Sequence, residues 1–174
     1  DVPEHWALER LKFFANFLGG GTPSKDEPKF WGGDIPWVSP KDMKSSYILE
    51  TEDCITQDGL KSSPCMLVPP FAVLTVVRSG ILQHTIPVAL NTVPVTLNQD
   101  MKAILPNEQK VDSRYLAYQI TGCQNELRAL WVKQGATVES IESQRMADTL
   151  MAVPPIAEQR SIANYLDAEI FKLD

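Results

Sequence analysis

The chain has 174 residues, 44% of them hydrophobic and 22% charged, with a formal net charge of −6. This is the size and balance of one globular domain, which excludes a disordered or collagen-like chain. No apolar run approaches the roughly 18 residues of a membrane span, and Asp1-Val2-Pro3-Glu4-His5 has neither the basic nor the apolar region of a signal peptide.

Turn formers dominate the first third: Gly19-Gly20-Gly21-Thr22-Pro23-Ser24, then Pro28, Gly32-Gly33, Pro36 and Pro40. Prolines at this density forbid a long helix and interrupt strand ladders, so short strands joined by ordered loops are predicted. Residues 34–39 read as an edge strand, where Pro36 can be tolerated. The sheet is predicted in the middle of the chain. Residues 71–77 are β-rich and bounded by Pro69-Pro70 and Ser79-Gly80. Residues 86–97 supply Val88, Leu90, Val93, Val95 and Leu97, and 101–105 form a short strand ending at Pro106. These runs are too short and too interrupted for amphipathic helices.

Helices are predicted to follow. Asp112 or Ser113 can cap a segment carrying Tyr115, Leu116, Tyr118 and Ile120, with Leu127, Leu130 and Trp131 beyond. After Gly135 a shorter helical stretch covers 140–149, and Pro154-Pro155 opens a final helix with proline in its first turn. Its apolar positions Ile156, Ala163, Leu166, Ile170 and Leu173 follow a seven-residue pattern, with Gln159 the polar exception. The stripe reads as the start of a coiled-coil arm.

Charge is unevenly placed. Residues 59–138 hold seven basic and four acidic residues, between two acidic flanks. A pI near 4.9 argues against a free-standing nucleic-acid binder, since Lys and Arg contacts to phosphate dominate that affinity. Three cysteines, Cys54, Cys65 and Cys123, form no close pairs, as expected in a reducing compartment. The chain does not begin with Met and is expected to be a fragment of a longer protein.

Catalytic patterns fail on their chemistry. Phe17-Leu18-Gly19-Gly20-Gly21 matches the glycine pattern of an S-adenosylmethionine loop, and Val68-Pro69-Pro70-Phe71 echoes an amino-methyltransferase motif. A cofactor glycine loop should open a helix, but Pro23 and Pro28 follow it here. Val68 has no polar side chain with which to hold an amino group. His5 and His84 lack partners at metal-ligand spacing, and no serine sits in a nucleophile elbow.

What remains is a set of loops rich in small, hydroxylated, amide and basic residues. Thr22, Ser24, Lys25, Ser39, Lys41 and Lys44 lie in the turn-rich opening beside Trp31 and Trp37. Arg78-Ser79-Gly80 ends the strongest strand, where a glycine lets backbone amides approach a phosphate. Gln83, Gln99, Lys133, Gln134 and Thr137 sit between elements. Amides and Arg are the groups that read purine edges with paired hydrogen bonds. Together these residues point to a recognition surface without catalysis.

Gly20-Gly21-Thr22-Pro23-Ser24, followed by Phe30-Trp31-Gly32-Gly33-Asp34-Ile35-Pro36-Trp37-Val38-Ser39-Pro40-Lys41-Asp42-Met43, resembles the opening of a target recognition domain. That domain belongs to the specificity subunit of type I restriction–modification systems. The resemblance continues through Arg78-Ser79-Gly80, Asn98-Gln99-Asp100, and Gly135-Ala136-Thr137 with Ile141. It closes on Val153-Pro154-Pro155-Ile156-Ala157-Glu158-Gln159-Arg160-Ser161-Ile162-Ala163, similar to the junction into that family's spacer helix. Nearly the whole chain is covered. After Gly80 the family commonly has a small run ending in glycine. Ile81-Leu82-Gln83-His84 stands here instead, which implies a different loop.

The resemblance implies an α+β fold: a twisted, partly open β-sheet with flanking helices, then the beginning of a long coiled-coil spacer helix. Residues 1–153 would form the recognition domain and 154–174 the start of the spacer. The implied function is sequence-specific binding of double-stranded DNA, one half of a bipartite target, in the cytoplasm and without catalysis, cofactor or metal in this chain. Implied partners are the modification and restriction subunits, and a second recognition domain or second copy through the spacer helix. The acidic total is tolerable if modification subunits close around the duplex and supply much of the phosphate contact. Two other readings stay open: a recognition domain from a single-chain restriction–methylation enzyme, and a protein-interaction module that has lost its DNA surface.

Overall fold

The computed structural model describes residues 2–133 and 137–172. Its strands are β1 (Ala7–Arg10), β2 (Ala15–Gly19), β3 (Trp31–Val38), β4 (Tyr47–Ile48), β5 (Cys54–Ile55), β6 (Val73–Val76), β7 (Val88–Asn91), β8 (Thr96–Leu97), β9 (Met101–Pro106) and β10 (Leu150–Val153). Its helices are α1 (Gln57–Lys61), α2 (Ser113–Gly122), α3 (Gln124–Trp131), α4 (Ser143–Asp148) and α5 (Ile156–Phe171). The fold is α+β with open sheets.

The largest sheet runs β2-β9-β6-β7-β4, antiparallel except for the β4–β7 pair. β6 lies in its middle, and all four of its residues are buried. Alternation along the strand splits the interior in two. Val73 joins a core with Leu116, Ile120, Leu127 and Trp131 from the helices. Leu74 and Val76 point the other way, to Val38, Val95 and Leu97. Each such fully buried side chain is worth about 1.5–3 kcal/mol.

A second sheet, β5-β3-β8, corrects one expectation: the proline-bearing strand is central, not an edge. The register against β5 shifts between Trp31 and Ile35, and both partner strands are only two residues long. Pro36 lies just past that shift, opposite Cys54 at the end of a two-residue partner strand, where a missing N–H costs little. The Pro36 carbonyl accepts from Thr96 Oγ1 at 3.0 Å, and the Trp37 N–H donates to the Asp53 carbonyl at 3.0 Å.

Residues 86–97 also divide, into β7 and β8 in different sheets. Buried Asn91 turns the chain between them. Its amide nitrogen donates to the Pro69 and Val93 carbonyls, at 2.8 and 2.9 Å, and its oxygen accepts from the Ala72 N–H at 2.9 Å.

β1 and β10 pair as an antiparallel ribbon, Ala7 opposite Val153 and Arg10 opposite Leu150. This lays the first strand beside the last. Asp112 caps α2 as predicted, accepting from the Arg114 and Tyr115 N–H groups at 3.0 and 3.3 Å. The predicted 140–149 helix is shorter, because Ser140 and Ile141 bridge to Arg78 and Val132 before α4 begins. Pro155 is the cap of α5, one position before its first turn.

The α5 stripe is largely covered by the domain itself. The helix packs along α2; Gln159 and Ala163 are fully buried, Leu166 is half-buried and Ile170 is exposed. Arg114 on α2 donates to Asn164 at 2.9 Å and to Asp167 at 2.8 Å. Leu173 lies outside the described residues.

Candidate nucleic-acid interface

Two tryptophans hold the glycine-rich loop after β2. The Trp37 indole N–H donates to the Gly21 carbonyl at 2.9 Å, and that of Trp31 to the Ser24 carbonyl at 3.0 Å. The two rings meet edge to face at 5.1 Å. Gly20 presses on the next turn: a Cβ there would overlap the Asn98 carbonyl. The Gly21 N–H donates to the Leu97 carbonyl at 2.8 Å. These contacts set Thr22 against Gln99, its hydroxyl donating to the Gln99 side-chain oxygen. Gly20 and Gly21 use their lack of a side chain for backbone packing, not for a cofactor cradle.

The turn at 98–100 leads to Arg78. Asn98 Oδ1 accepts from the Asp100 N–H at 2.8 Å, fixing the turn through its own side chain. The Asp100 carboxylate accepts from Arg78 Nε at 2.7 Å. Arg78 bridges to Ser140, and the Lys133 N–H donates to the Ser140 carbonyl at 2.8 Å. The Ser79 N–H donates to the Glu139 carbonyl at 3.1 Å, while Ser79 Oγ accepts from the Ile81 N–H at 3.4 Å. Gln83 Nε2 donates to Glu139 Oε1 at 2.7 Å, and this hydrogen bond holds the Glu139 carboxyl below its ordinary range. The run after Gly80 forms a 3-10 turn anchored by buried Leu82.

Thr22, Gln99, Arg78, Ser79, Gln83 and Lys133 are thereby brought into one continuous seam. Exposed Thr137 lies in the adjoining stretch, and Gln134 lies outside the described residues. The opening loops divide. Ser39 starts next to the seam, since the Asn98 N–H donates to the Val38 carbonyl at 2.9 Å. Its own N–H and hydroxyl, however, are both committed to Asp42 Oδ2, at 2.7 and 2.9 Å. Lys41 and Lys44 face Glu52 at 3.9 and 3.3 Å. Such exposed pairs are worth about 0–1 kcal/mol and are readily given up. Lys44 also lines a groove of about 370 Å³ with Ile81, Thr85 and Gln124. Exposed Ser24 and Lys25 stand off the seam, Lys25 beside a recess of about 260 Å³ lined by Trp31, Trp37 and Asp53.

Two cations on the seam were missed by sequence reasoning. Lys102 Nζ donates to Ser143 Oγ at 2.7 Å, and burial pushes its pKa down. The Arg128 guanidinium donates to the Gln83 carbonyl. Both sit inside regular elements, where periodicity describes packing and gives no sign of what a distant segment lays alongside. Among the described residues no group of three or more His, Cys, Asp or Glu is placed to hold a metal ion, and no helix is long and apolar enough to cross a membrane.

The family described as the type I restriction modification DNA specificity domain matches residues 3–171. The chain belongs to this family. It is 41% identical, over 152 residues, to the Escherichia coli type I restriction enzyme EcoR124I/EcoR124II specificity subunit, covering 87% of this chain and 37% of that one. It is 29% identical, over 168 residues, to the Methanocaldococcus jannaschii MjaIX specificity subunit, covering 95% and 38%. The chain thus spans under two-fifths of the length of these curated relatives. Among solved structures, a chain from work on complex assembly and conformational transition of the type I R-M system superposes with a TM-score of 0.76. It has 20% identity and covers 99% of this chain and 40% of that one. The HsdS subunit from Thermoanaerobacter tengcongensis gives 0.71 at 19% identity, covering 97% and 38%. The specificity-domain match spans every segment of the seam and the final helix.

Proposed function

We propose that this specificity domain recognises one half of a bipartite double-stranded DNA target as part of a type I specificity subunit, and performs no catalysis itself. The observation that carries the reading is the seam. Three loops distant in sequence place amide, hydroxyl and guanidinium groups side by side, held by backbone and side-chain hydrogen bonds. Such groups read base edges and position phosphates. The names of the similar proteins agree with that chemistry.

In this reading residues 1–153 do the reading and α5 begins the spacer helix. Tyr165 and Ile170 on α5, 64% and 40% exposed, are available to a second spacer helix. Modification and restriction subunits supply methylation, cleavage and much of the phosphate contact, which accommodates the acidic charge. The cytoplasm is the compartment where such an assembly meets DNA. The test is selection of duplexes from a random pool by the chain assembled with its modification subunits. Recovery of one defined half-site supports the reading, and a pool that stays random refutes it.

A further inference from the structure

Most lysines and arginines here have a carboxylate within ion-pair distance. Among the described residues Lys25, Lys61, Lys102, Arg128 and Lys133 do not. Three of these five, Lys102, Arg128 and Lys133, lie on or beside the seam. Lys102 and Arg128 are half-buried while Lys133 is exposed, but Arg128 donates to the Gln83 backbone carbonyl, whereas Lys102 has the Ser143 hydroxyl. An ammonium withdrawn from water with a neutral hydroxyl as partner carries a desolvation cost that an incoming anion would offset.

The surroundings leave room for that anion. Directly across the ladder from Lys102 stands Gly19, and nothing lies within 4 Å of where its Cβ would be. Ser143 is exposed, and its hydroxyl oxygen accepts from Lys102. A serine hydroxyl that accepts still has its own hydrogen to donate. Ammonium and hydroxyl can therefore serve the same oxyanion together. Lys102 follows Asp100 by two residues and Ser143 follows Ile141 by two, so the pair adjoins the seam.

We propose that Lys102 Nζ and Ser143 Oγ form a phosphate site that seats one backbone phosphate of the duplex beside the bases facing the seam. This site rests on the DNA reading above. It fixes register and carries no base preference. By contrast, Arg78 brings a charge already matched by Asp100.

The test uses the chain assembled with its modification subunits and a short mixed-sequence duplex, followed by fluorescence anisotropy across a salt series. Lys102→Gln should weaken binding to every sequence roughly tenfold, the size of one missing charge-assisted hydrogen bond. It should also reduce the salt slope by about 1 and leave the selected sequence unchanged. Lys102→Arg should restore most of the affinity. Lys61→Gln, on α1 away from the seam, removes the same charge and controls for net charge. An unchanged melting temperature confirms folding, and if Lys102→Gln does not fold, Ser143→Ala is the decisive variant. If the chosen variant matches Lys61→Gln while the unaltered complex binds DNA, the site is wrong and the DNA reading stands. If the unaltered complex binds no duplex, both fall. Tight inorganic phosphate binding that disappears in Lys102→Gln, with duplex affinity unchanged, would assign the pair to a free anion and overturn the backbone-phosphate assignment.

Discussion

Gln159 on α5 accepts the Asp112 backbone N–H at 3.0 Å, and so ties the final helix to the residue that caps α2. Its amide nitrogen donates to the Lys110 and Pro154 carbonyls at 3.0 and 2.7 Å. The side chain is wholly buried and its polar atoms all have partners, so the one polar member of the apolar stripe is a joint between three segments. Gln159→Leu keeps the bulk but strands one N–H and two carbonyls. At about 1–3 kcal/mol for each buried group left without a partner, the loss should be at least about 2 kcal/mol, read from urea denaturation. A smaller change would mean that water replaces the amide.

Gly20→Ala should separate the two loops that start the seam, since its methyl group would overlap the Asn98 carbonyl. Overpacking of this kind costs about 1–3 kcal/mol. Sequence preference should broaden as Thr22 loses Gln99. Retained stability together with an unchanged selected target would show that the Gly20–Asn98 approach is unimportant.

The candidate DNA-facing residues, on the seam and in the opening loops, divide into two kinds. Replacing Lys41, Lys44, Arg78 or Lys133 with Ala should weaken binding to all sequences and lower the salt slope by about 1 for each phosphate left without its cation. Gln83→Ala or Gln99→Ala should instead change preference at one base position by roughly 1–3 kcal/mol. Arg78→Ala carries an extra effect, because Asp100 is left facing the duplex without its cation. Uniform weakening by the glutamine variants would overturn the division.

The Glu158 carboxyl lies below its ordinary value because His5, and then the Trp6 indole, hydrogen-bond to it, at 2.9 and 3.1 Å. A carboxyl with a lowered folded-state pKa favours the folded chain above the ordinary carboxylate range. That contribution is lost as pH falls through the lowered value. Glu158→Gln should therefore flatten the acid limb of a melting-temperature profile below the ordinary Glu range. An unchanged limb would place the acid sensitivity elsewhere.

For the arm, sedimentation of the chain alone should show a monomer or a weak dimer, because α2 already covers much of the α5 stripe. A chain extended through its natural helix, with a second spacer helix present, should form a stable coiled coil. A tight dimer of the short chain that persists in the Leu166→Asp, Ile170→Asp double variant would refute the arm.

Local chemistry was legible wherever one segment decides the outcome. Asp112, one of two candidate caps, and a strand within residues 71–77 follow from their own neighbours. So does the grouping of Thr22, Arg78 and Gln99 into loops at strand ends. Features set by non-local partners were not legible. Pro36 argued for an edge because its short partners β5 and β8 come from elsewhere in the chain, and 86–97 looked continuous because Asn91 finds its partners near residue 70. Lys102 carried no signal, since only the fold brings Ser143 to it.

The β1–β10 ribbon sets the first and last strands of the fold side by side. Everything between residues 10 and 150 is then an excursion that leaves this ribbon and returns to it. Change inside the excursion is tolerated as long as two adjacent strands still meet. Loops on the seam can lengthen, shorten or change chemistry without altering where the chain re-enters α5. Variation in the loops and constancy in the ribbon that closes them are thereby mechanically separate.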